Sequence, residues 1–165
     1  MITAIGLELS TDTDVAAIAV AGREDGGRWT ADLAFYGSPD AAAAECSRLS
    51  EELDPCGVFA DPMPSAGILD DLRAASVWLH LLGPEEVAAA AWQFTTEVRF
   101  RRVKLGRHPA LREAMRVAVP RPLSVRFAFE RKKVAADMSP LNACAFALLG
   151  LRRNEAAADP GVWVV

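Results

Sequence analysis

The sequence predicts an α/β fold, a central mixed β-sheet flanked by helices. Three observations predict it. Short apolar runs separated by tight turn signals open the chain, which favours antiparallel strands. Helix-like and strand-like segments then alternate, which adds parallel strands through crossover helices. At 165 residues with 52% hydrophobic content, the chain can bury one sizeable core.

Ala4–Leu9 reads as a short buried strand, Ser10–Asp14 as a polar turn and Val15–Ala21 as a second apolar run. Arg23–Gly27, with Glu-Asp-Gly-Gly, is a hairpin signal, and Trp29–Tyr36 alternates as a third strand. Ser38 and Pro39 fit the N-cap and first position of an Ala-rich helix that runs to about Leu53 and breaks at Asp54-Pro55. Gly57–Ala60 is the next buried strand and ends on Asp61, followed by Pro62-Met63-Pro64 as a rigid loop. Ser65 caps a helix over Ala66–Ala75, with Ile68, Leu69 and Leu72 on one face. Val77–Leu82 is a further strand, and Gly83-Pro84-Glu85-Glu86 starts a helix to about Val98. A helix over Pro109–Val119 is expected next, then a break at Pro120-Arg121-Pro122. Leu123–Glu130 alternates as a strand, with Lys132–Ala135 as its hairpin partner. Ser139 caps a last helix from Pro140 to about Leu151, and a polar tail ends in Gly161-Val162-Trp163-Val164-Val165. Residues 1–153 are expected to form one domain, with 154–165 as a tail. Three antiparallel strands followed by alternating helix and strand is the order of the ribonuclease H-like fold, in which strands 1 and 4 lie side by side.

Composition excludes several classes. Hydrophobic content is too high for disorder, and no apolar run approaches the roughly 18 residues of a membrane helix. Met1-Ile2-Thr3-Ala4-Ile5 lacks the basic region of a signal peptide. Cys46, Cys56 and Cys144 are dispersed and read as buried thiols in a reducing compartment. Trp78, Trp92 and Phe94 read as core.

The net charge of −4 conceals an asymmetry. Residues 1–97 carry 4 Lys and Arg against 17 Asp and Glu, a net of −13. Residues 98–133 carry twelve basic residues against Glu113 and Glu130, a net of +10. Such a block is either a solvated face or a polyanion footprint, and its Arg richness suits phosphate. The candidates for phosphate contact are Arg99, Arg101, Arg102, Lys104, Arg107, His108, Arg131, Lys132 and Lys133.

Carboxylates sit where this fold would gather them: Glu8 inside strand 1, Asp61 at the end of strand 4, and Asp137 before the last helix. Each also has a plainer reading: an edge-strand acid, a turn residue before proline, an ornament at a helix start. Clustered, they would repel unless a cation sat among them, and an oxygen-only site suits one or two Mg²⁺ or Mn²⁺ ions. Such ions activate water and stabilise the leaving oxygen in phosphodiester hydrolysis. Asp12 and Asp14 read as turn formers, with Asp14 a candidate supporting acid.

Ala4-Ile-Gly-Leu-Glu8-Leu-Ser-x-Asp-x-Asp14 resembles the first nuclease strand and hairpin of phage terminase large subunits. Val58-Phe-Ala-Asp61 resembles their second acidic strand. Ala91-Trp-Gln-Phe-Thr-Thr-Glu-Val98 and Leu105-Gly-Arg-His108-Pro-Ala-Leu-Arg-Glu-Ala114 are similar to their middle helices. Phe127-Ala-Phe-Glu-Arg131 and Asp137-Met-Ser-Pro-Leu resemble their hairpin and closing helix. The resemblance covers roughly residues 4–151. It implies a metal-dependent endonuclease that cuts concatemeric double-stranded DNA, with Glu8, Asp61 and Asp137 as catalytic metal ligands. It also implies a packaging ATPase domain, a portal and a small terminase subunit as partners, in the cytoplasm of a bacterial host. Position 8 is usually Asp in that family, and Glu is one methylene longer. No GxxxxGK[ST] motif is present, so an excised or separately encoded nuclease piece is expected. The rival readings are a nuclease fold that only grips DNA or the portal, and another ribonuclease H-like nuclease such as a junction resolvase.

Overall fold

Strand β1, Thr3–Leu9, is buried along its whole length because it lies inside the sheet. The computed structural model describes residues 2–12, 14–24, 27–123 and 126–158. Six strands form the main sheet: β1, β2 (Ala16–Arg23), β3 (Trp29–Gly37), β4 (Val58–Ala60), β5 (Leu79–Leu81) and β6 (Val103–Leu105), in the order β5-β4-β1-β2-β3-β6. The β1–β2 and β2–β3 pairs are antiparallel, and the other three are parallel. This is the mixed α/β sheet that the sequence predicts, with strands 1 and 4 adjacent.

Side-chain alternation assigns the two faces. Ile5, Leu7 and Leu9 of β1 join Ile18 of β2 in a core shared with Cys46 and Leu49 of α1 (Pro39–Leu53), in a layer that also holds a one-turn helix α2 (Pro62–Ser65) and α3 (Leu69–Ala74). Ala4, Ala17 and Ala19 face the other way, toward α4 (Pro84–Arg99), α5 (Pro109–Val117) and α6 (Ser139–Ala158). The residues that face α6 are small because the helix lies directly on the strands. A β-carbon at Gly6 would come within 1.9 Å of the Ala143 carbonyl oxygen. Position 8 lies two residues on, so it shares that helix-covered face.

Ser38 caps α1 by accepting from Asp40 N at 3.3 Å, as its spacing predicts. Several details differ from the sequence reading. Pro62-Met63-Pro64 is the helical turn α2, capped by Asp61, and Ser65 does not cap the helical segment after it: its hydroxyl is buried without a partner. The basic stretch contains a strand, β6, too short to show a period. The expected break at Pro120 is itself a strand, β7 (Pro120–Leu123), paired with β8 (Arg126–Phe129) in a two-stranded ribbon. Proline is tolerated there because a ribbon strand has an open edge. Lys132–Ala135 is irregular and not a hairpin partner. Helix α6 starts at Ser139 and runs past Leu151 to Ala158. Trp78 and Trp92 are exposed, at 68% and 53%, whereas Phe94 is buried. Cys46 and Cys144 are buried, and Cys56 is half-buried. The hairpin signal at Asp25-Gly26, the Ser124-Val125 part of the expected Leu123–Glu130 strand, and the tail from Asp159 lie outside the described residues.

Candidate functional site

β1 and β4 run parallel with Leu7 opposite Ala60. One residue further on each strand are Glu8 and Asp61, so register alone sets these two carboxyl groups side by side. Glu8 is 1% exposed and Asp61 7%, which excludes an edge-strand reading for Glu8. Asn142, from the first turns of α6, donates through Nδ2 to Glu8 Oε2 at 2.6 Å. Arg131, on the irregular segment between β8 and α6, donates through a single nitrogen to both acids. Its Nη2 lies 2.8 Å from Asp61 Oδ2 and also contacts Glu8 Oε1. The other Asp61 oxygen accepts from Met63 N at 3.0 Å and caps α2.

A carboxylate without a partner could not be held at this depth. Burial pushes the Glu8 carboxyl up to about 8, against the opposing pull of Arg131 and Asn142, and the neighbouring Asp61 adds to the rise. Burial also works against the charge on Arg131, but Glu8 and Asp61 outweigh it and hold the guanidinium above its ordinary pKa. The Arg131 Nε is buried with no partner.

Asp137 lies beside this pair but turns to other donors. Tyr36 donates its hydroxyl to Asp137 Oδ2 at 3.1 Å, and Ser139 Oγ donates to the same oxygen at 2.6 Å. Ser139 N donates to Oδ1 at 2.9 Å, so Asp137 braces the start of α6, the role that the spacing assigns to Ser139. Burial and Asp137 push the Tyr36 hydroxyl up to about 12. Glu8, Arg131, Asp137 and Ser139 line one narrow recess. Among the described residues, no group of three or more His, Cys, Asp or Glu side chains gathers as a metal cluster. The expected carboxylate trio is therefore a pair, Glu8 and Asp61, with Asp137 alongside. The reason is local: one guanidinium serves two acids, and a tyrosine and a serine satisfy the third.

The donor chemistry fits a hard divalent cation. Two carboxyl groups converge on a single nitrogen, so they address one point in space with oxygen. That point is taken by a guanidinium.

The basic block divides between the two ends of the sheet. Trp29 N, at the start of β3, donates to Arg102 O at 3.3 Å, and Lys104 lies opposite Thr30. Tyr36, which reaches Asp137, is at the other end of that strand, about 20 Å away at strand rise. Arg99, Arg101, Arg102 and Lys104 thus belong to the end remote from Glu8. There Lys104 pairs with Glu24 at 2.8 Å, and Arg102 lies 4.0 Å from the buried Glu97. His108 returns to the acidic end, its ring edge-on to Tyr36 at 5.7 Å. Its Nδ1 accepts from Ala110 N at 3.2 Å and caps α5. Arg107 beside it is exposed, as are Lys132 and Lys133 next to Arg131. Asp14 is exposed in the β1–β2 turn. Asp12, held by Ser10 Oγ at 2.6 Å, is the turn acid that lines the cleft beside Arg131 and Asp137.

Asn142 and Tyr36 are the site residues that sequence reasoning missed. Both had a signal: Asn142 is a lone amide in an otherwise apolar helix turn, and Tyr36 is the chain's single tyrosine, at a strand end.

No family model matches the chain, and no curated protein does. Solved structures do match. The HK97 bacteriophage large terminase superposes with a TM-score of 0.74 at 16% identity, over 90% of this chain and 39% of that one. The chain therefore spans about two fifths of that terminase's length. The large terminase nuclease of thermophilic phage G20c with bound magnesium gives 0.67 at 14% identity, over 88% of this chain and 79% of the nuclease. The yeast mitochondrial Holliday junction resolvase Ydc2 gives 0.50 at 9% identity, over 94% of this chain and 80% of the resolvase. The chain has the ribonuclease H-like fold of phage large-terminase nuclease domains, the likeness that the sequence motifs imply.

Proposed function

We propose that the domain expected over residues 1–153, which α6 carries on to Ala158, is the metal-dependent endonuclease domain of a viral DNA-packaging terminase large subunit, which cleaves double-stranded DNA by phosphodiester hydrolysis. The observation that carries this reading is the convergence of Glu8 and Asp61 on one point at the ends of adjacent parallel strands. The terminase nuclease fold and the magnesium in the G20c nuclease support it.

Glu8 and Asp61 would hold a Mg²⁺ or Mn²⁺ ion, and Asp137 in the adjoining recess is the candidate for the second-ion side. Bound there, the cation would supply Lewis acidity that favours attack by water and departure of the 3′ oxygen. The chain's own residues do the rest. Asn142 fixes the Glu8 carboxyl through Oε2. Tyr36 and Ser139 fix Asp137. Arg107, His108, Arg131, Lys132 and Lys133 surround the acidic end and would hold the DNA backbone without reading sequence. Arg99, Arg101, Arg102 and Lys104 would contact DNA only along a longer path around the sheet. A packaging ATPase domain, a portal and a small terminase subunit would be the partners, in the host cytoplasm. Among the described residues no helix is long and apolar enough to cross a membrane.

Plasmid nicking with Mn²⁺, with and without EDTA, tests the reading on the wild type and on Asp61→Ala. Nicking that needs metal and is lost in Asp61→Ala is expected. Nicking by Asp61→Ala at the wild-type rate would overturn the assignment. A second reading, a DNA-gripping module without catalysis, is favoured by the guanidinium between the acids and by the longer Glu at position 8. It predicts salt-sensitive DNA binding, no cleavage, and no gain from Glu8→Asp. A preference for branched over linear duplex would instead point to resolvase-like cutting.

A further inference from the structure

The group between Glu8 and Asp61 is part of the chain. Arg131 supplies one positive charge to two carboxyl groups through one nitrogen, Nη2. The seat is incompletely satisfied, since the buried Nε of the same guanidinium has no partner. The residue is carried by a segment without regular structure that joins β8 to α6, with the exposed Lys132 and Lys133 following it. Next to it opens a cleft of about 490 Å³, lined by Ser10, Asp12, Lys132 and Asp137 among others. A cation held by rigid elements could not leave. This one is tethered by an irregular loop and has room beside it.

We propose that Arg131 is a displaceable internal counter-ion: its guanidinium occupies the point that a divalent cation would take between Glu8 and Asp61, and the two exclude each other. In the cation-free chain Arg131 neutralises the acids and holds β1 and β4 together at their ends. When a divalent ion enters, the guanidinium swings into the adjoining cleft, where it joins Lys132 and Lys133 on the face offered to phosphate. Cation binding thus converts a buried arginine into an exposed one. This inference rests on the reading of Glu8 and Asp61 as metal ligands.

Titration of the full chain with Mn²⁺, following the free ion by electron paramagnetic resonance, tests the exclusion. Arg131→Met keeps the stem and removes the competing charge. It should bind Mn²⁺ on the order of 10-fold more tightly than the wild type or better, a difference of about 1.4 kcal/mol. Arg131→Met/Asp61→Asn should lose that binding. Equal or weaker binding by Arg131→Met, with Asp61 still required, overturns the exclusion and leaves the metal site standing. Binding that is indifferent to Asp61→Asn in both backgrounds overturns both. A second measurement needs no Arg131 variant: the ¹⁵N–¹H resonance of Arg131 Nε in the wild type during Mg²⁺ titration. Exchange with solvent should rise as the ion saturates the protein. A resonance that stays protected at saturation, with saturation read from an Asp61-dependent rise in Tm, overturns the proposal even if Arg131→Met does not fold.

Discussion

The two ends of the sheet each bury a glutamate on the same helix-covered side, and they neutralise it differently. At the acidic end, Glu8 is served by Arg131 from an irregular segment. At the remote end, Glu97 of α4 is 3% exposed and pairs with Arg152 of α6. Arg152 stacks on the Trp29 ring at 4.4 Å, and the Trp29 indole donates to Glu155 at 3.2 Å, which in turn meets Arg23 at 3.4 Å. Every member of that cluster sits on a helix or strand. The remote end is therefore built as a staple between α4, α6 and the end of the β2–β3 pair, and it too leaves a buried atom, Glu97 Oε2, without a hydrogen-bond partner. The acidic end has a rigid set of acceptors and an arginine on a loop. Buried charge by itself marks neither structure nor function; what holds the counter-ion tells them apart.

Helix α6 connects the two ends, with Asn142 near its start and Arg152 near its finish, so lifting the helix should disturb both at once. Gly6→Ala would drive a methyl group against the Ala143 backbone, which cannot move without moving the helix. A loss of about 3 kcal/mol or more is expected, and both ends should fail together. Urea denaturation measures it, with Mn²⁺ binding as the site readout. A folded Gly6→Ala chain with wild-type stability would mean that α6 does not sit on β1 at this point.

Arg152→Met should separate the ends. It leaves Glu97 buried beside only Arg102, at 4.0 Å. Breaking a buried pair costs about 3–5 kcal/mol, and the partial exposure of Arg152 brings the expectation to about 2 kcal/mol. Binding of Mn²⁺ at Glu8 and Asp61 should be unchanged once the protein is folded. Parallel loss of Mn²⁺ affinity would show that the remote cluster supports the site.

Much of this was legible in the sequence, for physical reasons that also explain the misses. The strands and most helices announce themselves by turn chemistry, caps and period, and the fold order brings Glu8 and Asp61 together through β1–β4 pairing. The orientation of Asp137 was not legible, because it depends on Tyr36, distant in sequence and seated by the sheet. The role of Arg131 was hidden by its neighbours: among so many basic residues, nothing local distinguishes the one that turns inward. The dense block read as one surface because charge along a chain carries no information on direction. The short β6 starts at the remote end and runs parallel to β3, so Arg101, Arg102 and Lys104 lie toward that end and His108 toward the acidic one. Pro120 and Pro122 read as a break because an edge that tolerates them cannot be seen without its partner strand.

A change of pH should act on the acidic end through Glu8. In the cation-free protein burial holds the Glu8 carboxyl at about 8, whereas the unfolded chain titrates near the ordinary 4.5. Between these values the folded state binds the additional proton, so stability falls as pH rises. The contribution is complete below the unfolded value and is lost through about pH 8. Glu8→Gln keeps the shape of the protonated acid and does not titrate. The two proteins should be close in stability near pH 5, with the wild type falling behind at a slope no steeper than about 1.4 kcal/mol per pH unit. Urea midpoints in EDTA across this window measure the difference. Saturating Mn²⁺ should reverse it for the wild type alone, since a bound divalent ion stabilises the ionised form. A constant gap at every pH would mean that Arg131 and Asn142, rather than burial, govern Glu8.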